Sequence, residues 1–177
     1  MTLEPVAEAM ARPGKGTSSP ESSTVPFDWA SVHAELRSGR HTRWLATASA
    51  DGNPHVVPVF VAWDDSVGYV ATKATARKTR DLEATGRCVI TSDTGAAHVM
   101  VEATARRVTG DPGMQRASAA FEAAYNWPTT VIGDEIDAPY AAPTSGGPPL
   151  QVWELTPTKA FGFPPDGDSA APTRWRF

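Results

Sequence analysis

The feature that most constrains the fold is a tight turn between two segments whose apolar side chains alternate with a period of two. The turn reads Asp51-Gly52-Asn53-Pro54, and the flanking segments are 42–48 and 54–63. Turn-forming residues between two such segments are the strongest short-range signal for a β-hairpin. We therefore predict two antiparallel strands. Because the second is mostly apolar on both faces, we expect it to be covered on both sides.

A basic segment follows soon after this hairpin. A third predicted strand, 67–72, ends at Thr72, and a predicted basic helix start, Lys73–Leu82, follows with Arg77, Lys78 and Arg80. Cations at a helix start are unfavourable on their own, because that end of the helix dipole attracts anions. Free backbone N–H groups and cationic side chains together form a good phosphate site. We interpret this segment as a phosphate-binding site, the alternative being a solvated basic helix face.

Composition narrows the class of protein. The 177 residues carry a net charge of −4, which argues against general binding of nucleic acid. The single cysteine, Cys88, cannot form an internal disulfide or a cysteine-rich zinc site, and we expect it to be buried. Histidines and acids show no metal-ligand spacing, so no metal site is predicted. Without a long apolar run or a secretory signal, we expect a cytoplasmic protein that has no membrane segment.

The rest of the chain reads as one domain with a tail. Residues 1–26 are rich in Pro, Gly, Ser and Thr, and we expect them to be disordered; residues 27–177 form the folded domain. Helices are predicted near 28–39, 73–82 and 111–125, and 133–149 reads as a loop. Six or seven strands with short connections and no Rossmann fingerprint favour a mainly β, antiparallel barrel with two or three peripheral helices.

Several segments, taken in order, resemble the pyridoxamine 5′-phosphate oxidase-like, flavin-binding split-barrel superfamily. The matching segments are Arg43–Thr47, Asp51–Val59, Tyr69–Thr72, Arg77–Leu82, Val101–Ala103 and Thr173–Phe177. The resemblance implies a six- to seven-stranded split barrel. It also implies a homodimer with cofactor sites at the subunit interface and a small organic substrate. The cofactor would be FMN or, alternatively, the deazaflavin coenzyme F-420.

The same resemblance implies roles for individual residues. Thr72, Arg77 and Lys78 correspond to the phosphate-binding part. The strand along the flavin runs from His55 to Phe60, and its residues Val57, Pro58 and Val59 offer backbone groups to the ring. His98 would face the flavin, while Arg174 and Trp175, near the C-terminus, would reach substrate or cofactor.

Two departures from the oxidase pattern bear on activity. His55 stands where the oxidase has an arginine, and Phe60 stands where it has a lysine. Two cationic contacts are therefore missing, and vitamin B6 oxidation is not expected although the flavin site is retained. No catalytic side chain is predicted, because a flavin ring carries the hydride chemistry itself.

The functional prediction is a flavin-dependent oxidoreductase. Two alternatives remain: a deazaflavin-dependent reductase of the same fold, and a flavin or haem carrier or sensor without turnover. Trp127, which ends a predicted helix beside the 133–149 loop, is a candidate wall of the substrate pocket.

Overall fold

The computed structural model describes residues 4–10, 25–143, 145–165 and 170–177. This part of the chain forms three helices and eleven strands. The helices are α1 (Trp29–Arg37), α2 (Arg77–Thr85) and α3 (Asp111–Tyr125). The strands are β1 (Val6–Ala9), β2 (Arg43–Ala48), β3 (Pro54–Val59), β4 (Val61–Trp63), β5 (Gly68–Thr72), β6 (Arg87–Asp93), β7 (His98–Arg107), β8 (Thr130–Ile132), β9 (Glu135–Asp137), β10 (Gln151–Phe163) and β11 (Thr173–Arg176). The mainly β, antiparallel architecture predicted from the sequence is confirmed.

The predicted hairpin is present in the expected register. β2 and β3 pair antiparallel from Arg43 opposite Val59 to Ala48 opposite Pro54. Gly52 adopts a φ of 87° in the turn, a conformation that glycine reaches without steric cost. β3 is the last strand on its side of the sheet, so one of its edges has no strand partner among the described residues.

The chain crosses from one side of the sheet to the other at the step from β3 to β4. After a break at Phe60, β4 leaves the β2 side and pairs with β5, which pairs with the first half of β10. The long strand β10 then pairs with β7, which leads through β6 back to β2. One continuous stretch of chain, residues 54–63, therefore connects the two halves of a split barrel.

Two apolar clusters hold this arrangement together. One fills the barrel and includes Leu45, Ile90, Val101 and Trp175. The other lies between α3 and strands β4, β5 and β10, where Phe121 of α3 is fully buried. Because α3 packs on the strands that follow the break, the end of α3 lies next to the β3–β4 step.

The sequence-based description was wrong in three places. Six or seven strands were predicted, whereas the described residues contain eleven, because the segment 54–63 is split in two and short strands were missed. Within 1–26, expected to be disordered, residues Val6–Ala9 form a strand on β11, while 11–24 lie outside the described residues. The predicted loop 133–149 contains β9, which pairs with β8.

Candidate functional site

A cavity of about 620 Å³ lies where β3, α2 and the end of α3 meet. It brings together five of the predicted site residues: Val57, Pro58, Val59, Phe60 and Lys78. Ala71 adds the end of β5 to the wall, next to the predicted Thr72. The volume falls within the range of about 300–1,000 Å³ typical of small-molecule and cofactor sites.

The β3–β4 step is fixed in place by Tyr125, at the end of α3. The Tyr125 hydroxyl accepts from the backbone N–H of Val61 at 3.1 Å and donates to the Val61 carbonyl at 3.0 Å. The Phe60 ring stacks on the Tyr125 ring with centroids 4.4 Å apart. The Tyr125 side chain thus holds the strand break in place. Val59 and Phe60, just before the break, line the cavity.

Lys78 supplies positive charge to this cavity. Its side chain is half-buried, and burial lowers the pKa of its ammonium below the ordinary value. Among the described residues no hydrogen bond or ion pair engages it. A desolvated cation without a partner is costly, and an anionic ligand would offset that cost. The start of α2 adds to the effect, because its N-cap residue, Ala76, has no side chain that could satisfy the free N–H groups.

Arg77, the neighbour of Lys78, lies in a different groove. This second groove, of about 520 Å³, is lined by Ser49, Asn53, Pro54, Arg77, Arg80 and Asp81. The Arg77 guanidinium donates to the carbonyls of Asn53 at 3.3 Å and Pro54 at 3.2 Å. Its Nε lies 3.9 Å from the buried carboxylate of Asp81. The Arg77 guanidinium therefore already has hydrogen-bond acceptors and a nearby carboxylate within the protein.

Several other predicted site residues do not line the cavity of the single chain. Thr72 is buried, and its hydroxyl oxygen lies 3.3 Å from that of Thr79. His55 is half-buried on β3 outside the cavity wall. His98 is exposed at the β6–β7 turn, 3.7 Å from Asp93.

The two C-terminal residues on the predicted site are also placed elsewhere. Trp175 has no exposed surface and packs in the barrel core, where it offers no ring face to a ligand. Arg174 pairs with Glu8 of β1 at 2.6 Å. In the single chain, both residues join β11 to its neighbours.

Other cavity-lining residues were missed by the sequence reasoning. Arg40, His41 and Thr42 enter from the segment between α1 and β2, and Ser145 enters from the segment before β10. No periodicity or spacing connects these residues with β3. The proposed pocket role of Trp127 agrees with the structure, since Trp127 lines the cavity and donates from Nε1 to the Tyr140 carbonyl at 2.8 Å. Cys88 is buried as expected, and burial raises the pKa of its thiol to about 12.

An apolar patch lies outside the barrel on β2 and β3. Trp44 is 45% exposed and pairs with Pro58, while Val56 is 55% exposed and pairs with Ala46. Exposed apolar side chains that lie side by side commonly mark an interaction surface. None of the helices in the described ranges has the length and hydropathy to cross a bilayer.

Comparison with known proteins assigns this chain to a family. The family model of pyridoxamine 5′-phosphate oxidase matches residues 31–163, most of the chain. The chain therefore belongs to the pyridoxamine 5′-phosphate oxidase family, and the resemblance noted in the sequence is confirmed. No curated protein matches the chain.

Solved structures share the fold at low identity. A heme binding protein from Mycobacterium smegmatis aligns with a TM-score of 0.56 and 21% identity over 76% of this chain, which spans 54% of that protein. An F420 reductase aligns with a TM-score of 0.53 and 19% identity, covering 77% of this chain and 98% of its own. HupZ from Group A Streptococcus aligns with a TM-score of 0.52 and 16% identity, covering 78% and 96%. At these identities the likeness extends to the fold alone.

Proposed function

We propose that this protein binds a flavin nucleotide in the cavity beside β3 and uses it to transfer hydride to or from a small organic substrate. The observation that carries the proposal is Lys78, a half-buried cation in the wall of a cofactor-sized cavity that has no hydrogen-bond or ion-pair partner in the part of the chain that the structure describes. In this proposal the FMN phosphate lies against Lys78 and the start of α2. The ring lies along residues Val57–Phe60.

The residues present fit such a ligand in shape and charge. Lys78 and the uncapped N–H groups of α2 are suited to a phosphate monoester. Among the described residues one edge of β3 has no strand partner, so its backbone groups could meet the polar edge of a flavin ring, and the half-exposed ring of Phe60 adds an apolar surface to the wall. The deazaflavin coenzyme F-420 carries the same kind of phosphate and fits the same reasoning.

Once bound, such a cofactor supplies two-electron hydride chemistry, and the protein supplies orientation and electrostatics. Lys78 would fix one end of the ligand, while the Tyr125 contacts with Val61 would hold the strand break that shapes the other end. The walls formed by the end of α3 and by Ala141, Ala142 and Ser145 would keep water from part of the ring. The chain's own residues thus bind, orient and shield.

We further propose that two copies of the chain associate through the patch formed by Trp44 and Val56. Burying these exposed apolar groups would favour association by about 25 cal/mol per Å² removed from water. Of the predicted residues that lie outside the cavity of the single chain, His98 and Arg174 have exposed surface for contact with a partner chain, whereas Trp175 has none. Light scattering should give twice the monomer mass of 18.8 kDa, and Trp44→Glu should give the monomer.

The test of the main proposal is ligand binding to the purified protein. Equilibrium dialysis and absorption spectra with FMN, the deazaflavin coenzyme and hemin should show binding of one of the two flavin-type ligands. Lys78→Ala should weaken that binding by about 10- to 100-fold, because a hydrogen bond to a charged group contributes about 1.5–3 kcal/mol. Arg80→Ala is the matched control, since Arg80 lies in the same helical turn but lines the other groove.

The remaining outcomes separate the alternatives. Hemin binding without flavin binding would favour a carrier and overturn the oxidoreductase proposal. Flavin that binds, is reduced by dithionite and then fails to pass electrons to menadione would favour a sensor or carrier. If Arg80→Ala weakens flavin binding as much as Lys78→Ala does, the phosphate does not lie at Lys78.

A further inference from the structure

A histidine–carboxylate pair stands at the wall of the same cavity, on the segment between α1 and β2. His41 lines the cavity, and its Nε2 lies 3.3 Å from Oε2 of Glu35 in α1. Arg40 also pairs with this carboxylate, its Nη2 lying 3.2 Å from each oxygen. Hydrogen bonds from Arg40 and then His41 lower the pKa of Glu35, so the carboxylate stays ionised and orients the imidazole.

The segment that carries His41 is held tightly against α3. Gly39 has a φ of +67°, and a Cβ built on it would lie 2.0 Å from the carbonyl oxygen of Ala124. Only glycine fits this position, because any side chain would collide with the backbone at the end of α3. The approach of Gly39 to α3 therefore fixes where His41 enters the cavity.

A buried arginine fixes the backbone of both members of the pair. Arg43 has no exposed surface, and burial lowers the pKa of its guanidinium. Nη1 donates to the His41 carbonyl at 2.6 Å, and Nη2 donates to the Glu35 carbonyl at 3.0 Å. No acid pairs with Arg43 among the described residues. Burying an arginine that has only neutral acceptors costs free energy. In return, the two hydrogen bonds from Arg43 hold the backbones of Glu35 and His41 in a fixed relative position.

Few of the charged or titratable side chains around this cavity can exchange a proton near neutral pH. Those in its wall are Arg40, His41, Lys78 and Tyr125, and the neighbouring charges are Glu35 and Arg43. Arginine keeps its proton in proteins, and Lys78 is assigned to the phosphate. Burial raises the pKa of Tyr125, whose hydroxyl is already bonded to Val61. Histidine is the usual general acid and base near pH 7.

We propose that His41, oriented by Glu35, is the catalytic residue that delivers a proton to the substrate in this cavity; this inference rests on the proposed function. The substrate class is a conjugated carbonyl compound, such as a quinone, whose apolar part would lie against Phe60, a half-exposed ring in the cavity wall. The acceptor gains a hydride from the reduced flavin, and its oxygen takes the proton of the His41 imidazolium. His41 is left neutral and regains a proton from solvent through its 28% exposed side chain.

The first measurement concerns binding rather than turnover. In ¹⁵N-edited spectra of the histidine rings, adding FMN should shift the signals that are lost in His41→Gln. The signals of His33, which packs between Trp29 and Trp63, should stay in place. FMN affinity in His41→Gln should remain within about threefold of the wild-type value. Unshifted His41 signals in the FMN-saturated protein would overturn the assignment.

The second measurement compares two electron acceptors under anaerobic stopped flow. Menadione requires a proton with the hydride, whereas ferricyanide takes electrons alone. His41→Gln should slow reoxidation by menadione by about 100-fold or more and leave ferricyanide unaffected, because positioned general acids contribute about 10²–10⁴-fold.

Glu35 is a positioning residue, and the same two-acceptor experiment tests this role with Glu35→Gln. Glu35→Gln should slow reoxidation by menadione and leave the ferricyanide rate and FMN affinity unchanged, because the imidazole loses the carboxylate that orients it. Glu83→Gln, at an exposed position of α2 outside the cavity wall, is the control. Equal slowing with both acceptors, or a normal menadione rate in His41→Gln, overturns the proton-donor role while leaving the flavin site intact. A wild-type protein that binds no flavin removes both proposals together.

Discussion

The cavity at Lys78 and the groove at Arg77 lie on either side of the same helix start and differ in how their charges are satisfied. In the groove, Arg77 bonds to two carbonyls and approaches Asp81, which in turn accepts from Thr47 at 2.8 Å. In the cavity, Lys78 is half-buried and has no such partner among the described residues. Arg77 and Lys78 are neighbours in the sequence, but only Arg77 has hydrogen-bond and charged partners among the described residues.

The difference separates charge that stabilises the fold from charge that is available to a ligand. A paired cation lowers the free energy of the folded state, whereas a desolvated unpaired cation raises it until an anion binds. Substitutions in the groove should therefore change stability, and substitutions in the cavity should change binding. The following predictions test that division, beginning with the largest expected effect.

Asp81→Ala should lower the free energy of unfolding by about 2–3 kcal/mol, because it leaves the Thr47 hydroxyl buried without an acceptor and Arg77 without its anion. FMN affinity, measured well below the unfolding midpoint, should stay within about threefold of the wild-type value. Urea denaturation and equilibrium dialysis check the two expectations. A loss of affinity as large as that of Lys78→Ala would break the division between the two regions.

Tyr125→Phe tests a residue of the cavity that should affect both quantities. Removing the hydroxyl leaves the N–H and carbonyl of Val61 without their partner, which should cost about 1–2 kcal/mol of stability. FMN affinity should fall severalfold, because the β3–β4 step loses its anchor. Tyr140→Phe is the matched control, since that ring is 54% exposed and its hydroxyl donates to the Asn126 carbonyl.

Arg77→Ala should cost about 1 kcal/mol of stability through its lost hydrogen bonds to Asn53 and Pro54. Its effect on FMN affinity should be at most about twofold to threefold, the range of a distant charge screened by solvent. Thermal unfolding and dialysis on the same preparation measure both. If this variant loses flavin binding but keeps its unfolding midpoint, the roles of the two cations are reversed.

Lys78→Met should slightly raise the unfolding midpoint of the ligand-free protein. Burial lowers the pKa of Lys78 from its ordinary value of 10.5, so the folded chain holds this proton less tightly than the unfolded chain does. The cost is fully present where both states are protonated, and it is relieved as the pH rises through the lowered pKa of Lys78. The difference in midpoint between variant and wild type should therefore shrink toward pH 10. A difference that widens with rising pH would contradict this prediction.

Much of the fold could be predicted from local patterns, and part of the cavity could as well. The turn at Asp51–Pro54, the alternating strand behind it and the basic helix start are all encoded within neighbouring residues. They placed Val57–Phe60 and Lys78 in one predicted site, and these residues line one cavity of the structure. The same local patterns could not separate Arg77 from Lys78. Adjacent helix residues point about 100° apart, and only tertiary packing decides which of them faces β3.

The missed residues depend on long-range packing. His41 enters the cavity because Gly39 approaches the end of α3 and because Arg43 bonds to carbonyls of α1. Neither contact has a signature in the sequence around His41. For Trp175 the sequence suggested a site residue that the structure places in the core. An aromatic residue between two arginines is typical of a ligand contact. β11 is nevertheless flanked by β1 and β10, and it turns this ring into the core.

The backbone crossing at Phe60 determines how a bound cofactor would change the thermal unfolding of the protein. The same stretch of chain belongs to one half of the barrel before this residue and to the other half after it. A ligand bound there would contact the backbone that joins the two halves of the barrel, and it would therefore stabilise both halves. Saturation with the cofactor should therefore delay heat-induced melting of both halves as a single cooperative event, instead of protecting only the strands it touches.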